Sequence, residues 1–190
     1  MDLDFSKTHE AFSILSGMPV EALKGKIHTS GFFNEYEKGL ITDSEFRNHM
    51  RTFLNHPEAN DQDIDLAWNA LLINITKERY DLLNALKSKY KTFLLSNTNN
   101  IHLNAVNEIV FKTSGEKSLD PFFYKAYFSN LMKMRKPDHE IFSHVLSENN
   151  LIANETLFMD DILENIEGAK AVGIQTIHIS STNQILSLFP

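Results

Sequence analysis

The 190 residues contain no cysteine, so disulfides, thiolate metal sites and cysteine nucleophiles are all excluded. Long apolar runs are missing too: none approaches the roughly 20 residues that span a bilayer. The opening Met1-Asp2-Leu3-Asp4 has neither the basic start nor the apolar stretch of a secretion signal. Cations are outnumbered, 18 Lys and Arg against 25 Asp and Glu, for a net charge of −7. No basic stripe stands out against that acidity, which argues against nucleic acid or an anionic membrane as the main partner. There is no Gly-x-Gly-x-x-Gly and no Walker-type loop, so readings built on nucleotide cofactors or nucleoside triphosphates have no support. Eight histidines are scattered along the chain, and no pair has the setting of metal ligands. What is left is the composition of an ordinary globular protein of the cytoplasm, long enough for one good-sized domain with a small insert.

The chain changes grammar near its middle. Its first eighty or so residues read as helices only. Thr42-Asp43-Ser44-Glu45 is a capping box, with a hydroxyl at the cap and an acid three places on. It opens onto Phe46, Met50, Phe53 and Leu54, the spacing of one helical face. Pro19, with Val20, Ala22 and Leu23 behind it, starts an earlier helix. The series Ile64, Leu66, Ala67, Ala70, Leu71, Ile75 predicts another. Beyond residue 90, short apolar runs end in polar turns: Thr92-Phe93-Leu94-Leu95 before Ser96-Asn97-Thr98-Asn99, and Leu157-Phe158-Met159 before Asp160-Asp161. Ile174 to Ile179 and Ala126-Tyr127-Phe128 are two further strand candidates. Strands alternating with helices imply an α/β fold, a Rossmann-like parallel sheet. The expected division is a helical bundle over residues 6–76 and an α/β core over 77–190, with residues 1–5 belonging to the core.

In such sheets ligands sit beyond the carboxyl ends of the strands, where both polar clusters fall. Two carboxylates at a buried strand end repel unless a cation neutralises them. The pair Asp160-Asp161 therefore favours a hard ion, magnesium above all; the plainer reading, a helix cap, accounts for only one acid. The Ser96 hydroxyl and the following backbone N–H groups, beginning at Asn97, can hold an anion where a helix starts, although such residues also form ordinary turns. Lys136 stands just before the proline-started helix Asp138 to Leu146 and can reach a phosphate. Taken alone, such a lysine is more often a solvated surface charge. With Lys133 and Arg135 it forms a basic cluster that suits a phosphate-facing mouth. His178 is expected half-buried in its strand, and Trp68, Phe32 and Phe33 in the helical core.

Leu94-Leu95-Ser96-Asn97-Thr98-Asn99, Met134-Arg135-Lys136-Pro137-Asp138 and Leu157-Phe158-Met159-Asp160-Asp161 resemble the second, third and fourth motifs of the haloacid dehalogenase superfamily, in order. Asn165-Ile166-Glu167-Gly168-Ala169 and Gly173-Ile174 continue the likeness. Tyr36 to Thr42 is similar to the helical cap of one phosphatase-like branch. The resemblance implies a magnesium-dependent hydrolase that removes phosphate from a small phosphorylated metabolite through an aspartyl-phosphate, as a monomer or homodimer. Ser96, Asn97 and Lys136 would bind the phosphate, Asp160 and Asp161 the metal. Dehalogenation, which needs no metal, fits the paired acids less well.

One departure matters. The family's first motif is an apolar strand ending in an aspartate that attacks phosphorus. Asp2 and Asp4 have only Met1 before them, and they match better the stretch that follows the first motif. The nucleophile is therefore expected outside this sequence. A central strand missing from the sheet would leave two rows of backbone N–H and C=O groups without partners. The alternative function is a truncated or catalytically silent homologue that binds a phosphorylated ligand or a protein partner.

Overall fold

The structure, a computed structural model, describes residues 1–181 and 183–189, apart from the side chains of residues 27–29. The amino-terminal part is helical: α1 (Phe5–Ser16), α2 (Val20–Thr29), α3 (Phe32–Glu37), α4 (Asp43–Phe53) and α5 (Asp61–Asn69). Local chemistry accounts for its starts. Asp4 caps α1 by accepting from the Ser6 N–H at 3.0 Å. Thr42 and Glu45 form the reciprocal capping box expected of α4. From that start, Phe46, Met50 and Phe53 fall on one face and are buried. They join Phe12, Leu23, Tyr36, Leu54 and Ile64 in a core whose central members are 2% exposed or less. Phe32, Phe33 and Trp68 pack against it, as their place in the sequence suggested.

Two short strands correct the all-helical reading of this half. β1 (Asp2–Leu3) pairs antiparallel with β2 (Leu72–Asn74), Asp2 opposite Asn74 and Leu3 opposite Leu72. The helix expected to run on to Ile75 stops at Asn69. The Thr8 hydroxyl ends it, donating to the Trp68 carbonyl at 3.2 Å and accepting from the Leu71 N–H at 3.0 Å. Strands of two and three residues show no alternation, so periodicity cannot find them.

The remainder alternates as expected: α6 (Lys77–Lys87), β3 (Phe93–Ser96), α7 (Asn100–Ser114), β4 (Lys125–Phe128), α8 (Ser129–Met132), α9 (His139–Glu148), β5 (Leu157–Asp160), α10 (Leu163–Ala171), β6 (Gln175–His178) and α11 (Gln184–Leu188). β3 pairs parallel with β4, and β5 with β6, each over four residues. The two pairs are separate sheets among the described residues, so β3 and β5 each carry one edge without a strand partner. Their side chains reflect it. Phe93, Leu94, Leu95, Phe158 and Met159 are half-buried and Leu157 is exposed, although inner parallel strands are normally covered on both faces. Ile141, Phe142, Ala169 and Ile174 form a core against which Leu95 of one sheet and Phe158 of the other both pack. No helix among the described residues is long and apolar enough to cross a membrane.

Candidate active site

β3 and β5 end at Ser96 and Asp160, and a third segment, Met134 to Asp138, comes to meet them. The Lys136 ammonium donates to Asp160 Oδ2 at 2.6 Å and lies 5.4 Å from the centre of the Phe158 ring. Phe158 precedes Asp160 by two residues, so the strand's pleat turns both to one face. Asp160 Oδ1 accepts from the Ile162 N–H and from Asn165 Nδ2, each at 2.9 Å. Lys136 and Asp160 are buried, with side chains 9% and 6% exposed. Apolar residues of similar volume commonly serve stability as well as a buried ion pair does. Stability alone therefore gives little reason for such a pair at a strand end.

Asp161 is exposed beside its buried neighbour. The two acids thus divide the readings offered for them, since Asp160 turns back to the start of the following segment while Asp161 is open to solvent. The Ser96 hydroxyl makes one long contact, 3.4 Å to the Asn97 carbonyl. Asn97 Oδ1 accepts from the Lys136 N–H and its Nδ2 donates to the Lys136 carbonyl, both at 2.9 Å. Sequence reasoning gave Asn165 no role and could not see this use of Asn97.

The basic cluster comes apart. Lys133 donates to the Gly39 carbonyl, Arg135 pairs with Glu37 at 2.8 Å, and only Lys136 of the three turns to Asp160. The expectation of a three-cation mouth fails because residues 133, 135 and 136 lie on an irregular segment between helices, where neighbours face different partners. Nor is Lys136 a surface charge. His178 is exposed, not half-buried, and its Nε2 lies 3.1 Å from the Asp161 carbonyl. It ends β6, where the strand leaves its cover.

The helical half is joined to this region by polar contacts. Ser129, fully buried, accepts from the Thr98 N–H at 2.9 Å. Its hydroxyl proton has two acceptors within reach, the Glu37 carbonyl at 2.6 Å and the Thr98 carbonyl at 3.0 Å. Gly39 lies where a Cβ would collide with the Asn130 carbonyl, at a positive φ of 59° that also favours glycine. Lys38 pairs with Asp138 at 2.8 Å. At the other end of the joint, Trp68 stacks on His102, ring centres 4.6 Å apart. His102 Nε2 lies 3.1 Å from the Trp68 carbonyl and Nδ1 3.1 Å from Asn99 Nδ2. Burial holds this imidazole down to about 4, against a smaller upward pull from the Trp68 carbonyl.

Asp2 and Asp4 are both engaged. Asp2 Oδ1 accepts from Arg79 at 2.6 Å, and Asp4 Oδ1 accepts from the Ser6 N–H and hydroxyl.

Residues 29–179 match the sequence model of haloacid dehalogenase-like hydrolases. The chain belongs to that family. The D-ribitol-5-phosphate phosphatase of Bacteroides thetaiotaomicron is 30% identical over 176 residues, 93% of this chain and 84% of that protein. A haloacid dehalogenase family enzyme of the same organism, solved with magnesium and inorganic phosphate, superposes with a TM-score of 0.89 at 35% identity, covering 100% of this chain and 93% of its own. A haloacid dehalogenase-like hydrolase of Porphyromonas gingivalis gives a TM-score of 0.83 at 26% identity, over 99% and 91% of the two chains. The α/β reading and the family expectation both hold.

The donor set of this hydrolase fits magnesium. The two adjacent acids offer oxygen alone, the choice of a hard cation. The described residues gather no group of three or more His, Asp or Glu side chains that could hold a metal. Of the two acids, Asp161 is exposed, while both Asp160 oxygens already accept hydrogen bonds.

Proposed function

We propose that this chain is a magnesium-dependent phosphatase of small phosphorylated metabolites, with Ser96, Lys136, Asp160 and Asp161 as its phosphate and metal groups. The observation that carries the reading is the Lys136–Asp160 contact, 2.6 Å and buried, at the carboxyl end of a parallel strand. The relative named for D-ribitol 5-phosphate supports the substrate class, and acyclic polyol phosphates are the first to try. Asp160 and Asp161 would hold the magnesium, which supplies charge neutralisation at the phosphoryl group. Lys136, fixed between the Phe158 ring and Asp160, brings a cation to the phosphoryl oxygens. The Ser96 hydroxyl, with its one long contact, is free to turn its proton to another of them. Helices α1–α5 act as a cap, limiting water and choosing the substrate.

Attack requires a carboxylate, and Asp2 and Asp4 are weak candidates for it, each turned to another partner, Arg79 and Ser6. In the described residues β3 and β5 each have one edge without a strand partner, and a further parallel strand ending in an aspartate is the element the reading calls for there. The half-buried Phe93, Leu94, Phe158 and Met159 are the side chains such a strand would cover. A second reading, a silent homologue that binds phosphate without cleaving it, draws on the same ion pair, because Asp160 already has three donors.

The test is hydrolysis of p-nitrophenyl phosphate and D-ribitol 5-phosphate, with and without magnesium, by the folded chain alone and by the same chain carrying an added apolar strand that ends in aspartate. On the enzyme reading, turnover needs magnesium, and Asp160→Asn lowers kcat by about 100-fold or more. Folded protein that binds inorganic phosphate with no turnover in any of these conditions favours the silent reading.

A further inference from the structure

We propose that Asn97 is a positioning residue that fixes where the Lys136 ammonium stands, and does not itself bind phosphate. The proposal rests on the phosphatase reading for its kinetic consequences, and on geometry alone for the rest. An asparagine side chain that met a phosphate would turn its Nδ2 to the anion. Here Oδ1 accepts from the Lys136 N–H and Nδ2 donates to the Lys136 carbonyl, each at 2.9 Å and across 39 residues of sequence. Both bonds go to the main chain of one residue. A two-point contact of that kind removes rotation as well as translation, much as a bidentate pair does between side chains.

The other side of the same segment is held as tightly. The Pro137 carbonyl lies against Gly168 of α10, where a Cβ would collide with it. Lys136 thus hangs from a backbone clamped by Asn97 on one side and by α10 on the other. Its side chain then has a short course, past the Phe158 ring at 5.4 Å to Asp160 Oδ2 at 2.6 Å. The arrangement couples the two strands. Ser96 ends β3 with a hydroxyl for the site, and the next residue carries the clamp that registers the lysine against it. A lysine loses much side-chain freedom on being fixed, and a clamped backbone lowers the number of torsions left to order when substrate binds.

The experiment compares Asn97→Ala and Asn97→Asp with the unmodified chain, each shown to be folded by its melting curve. Asn97→Asp keeps the volume but sets an oxygen against the Lys136 carbonyl. Without substrate, competitive acetylation read by mass spectrometry measures how open Lys136 is, with exposed Lys170 as internal reference. We expect Lys136 labelling to rise several-fold in both variants while Lys170 is unchanged. Equal Lys136 labelling in a folded variant overturns the proposal. In the kinetic arm, Asn97→Ala lowers kcat at least about tenfold. In a Lys136→Ala background the same change adds less than about twofold, because the effect passes through the lysine. Loss of inorganic phosphate binding on Asn97→Ala in that background would instead make Asn97 a direct ligand and sink the idea. If turnover is absent even with the added strand that ends in aspartate, yet the labelling shift appears, the phosphatase reading fails and the positioning role stands.

Discussion

Phe46 and Phe158 are both aromatic residues on inward-turned faces, but their surroundings differ. Phe46 is wholly buried and has the rings of Phe32, Phe33, Tyr36 and Trp68 around it. Phe158 is half-buried, with the Phe142 ring on one side and the Lys136 ammonium on another. The helical half is closed at its centre by interlocking apolar side chains, while Ile14, Leu40 and Leu66 stay exposed on its outside. The α/β half near the strand ends is held by polar pairs, and keeps apolar strand surface in reserve. A site for a charged ligand, as proposed at these strand ends, cannot be sealed by packing. Hydrogen bonds and ion pairs fix its parts while leaving it open.

The contrast can be broken in order of expected size. Phe46→Ala should cost about 3–5 kcal/mol, since a large ring is removed from a core too rigid to collapse. Urea unfolding measures it, and a loss below about 1 kcal/mol would mean that the bundle repacks freely. Near the strand ends the failure should be electrostatic. Asp160→Asn leaves the buried Lys136 ammonium without its counter-charge, at a cost of about 3 kcal/mol. Adding Lys136→Met to it should restore most of that stability while leaving the site without function, a recovery that no second change gives Phe46→Ala. Should the double variant melt as low as the single one, the pair is architecture after all.

The joint between the halves offers a third test, through pH. His102 is held at about 4 in the folded protein, against about 6.5 when unfolded. The unfolded chain therefore binds the extra proton between those values. The contribution of this buried imidazole is present above pH 6.5 and is lost as pH falls from 6.5 towards 4, by on the order of 2–3 kcal/mol. Melting curves from pH 7 to 4.5 should slope less in His102→Gln than in the unmodified chain. The exposed acids held below their usual range, Asp4 and Glu45 among them, lose their hydrogen-bonded charge further down the scale and do not obscure that window. The smallest effect belongs to the helix start: Asp4→Ala should lower the melting temperature slightly by removing the cap of α1, with no change in magnesium dependence.

What the sequence made legible was local. The capping box at Thr42, the apolar runs that stop at Ser96 and Asp160, and the aromatic spacing of α4 each lie within a dozen residues, and each reports its own conformation. The paired use of Asn97 on Lys136, the Glu37–Arg135 bridge and the Ser129 junction join residues 31 to 98 positions apart. Nothing in a short window encodes them. The β1 and β2 strands escaped for the opposite reason, being too short for a period to repeat. The basic cluster misled because adjacency along a chain was read as adjacency in space. His178 misled because alternation predicts which face a residue takes, but not whether that face is covered.

The Ser129 and Lys133 side chains hold the helical half by two peptide oxygens, those of Glu37 and Gly39. Every residue carries such an oxygen, so the bond to Glu37 does not depend on its side chain, whereas the position of Gly39 still admits no Cβ. If the bundle is the cap proposed for it, a change of residue on its inner surface leaves these two bonds in place.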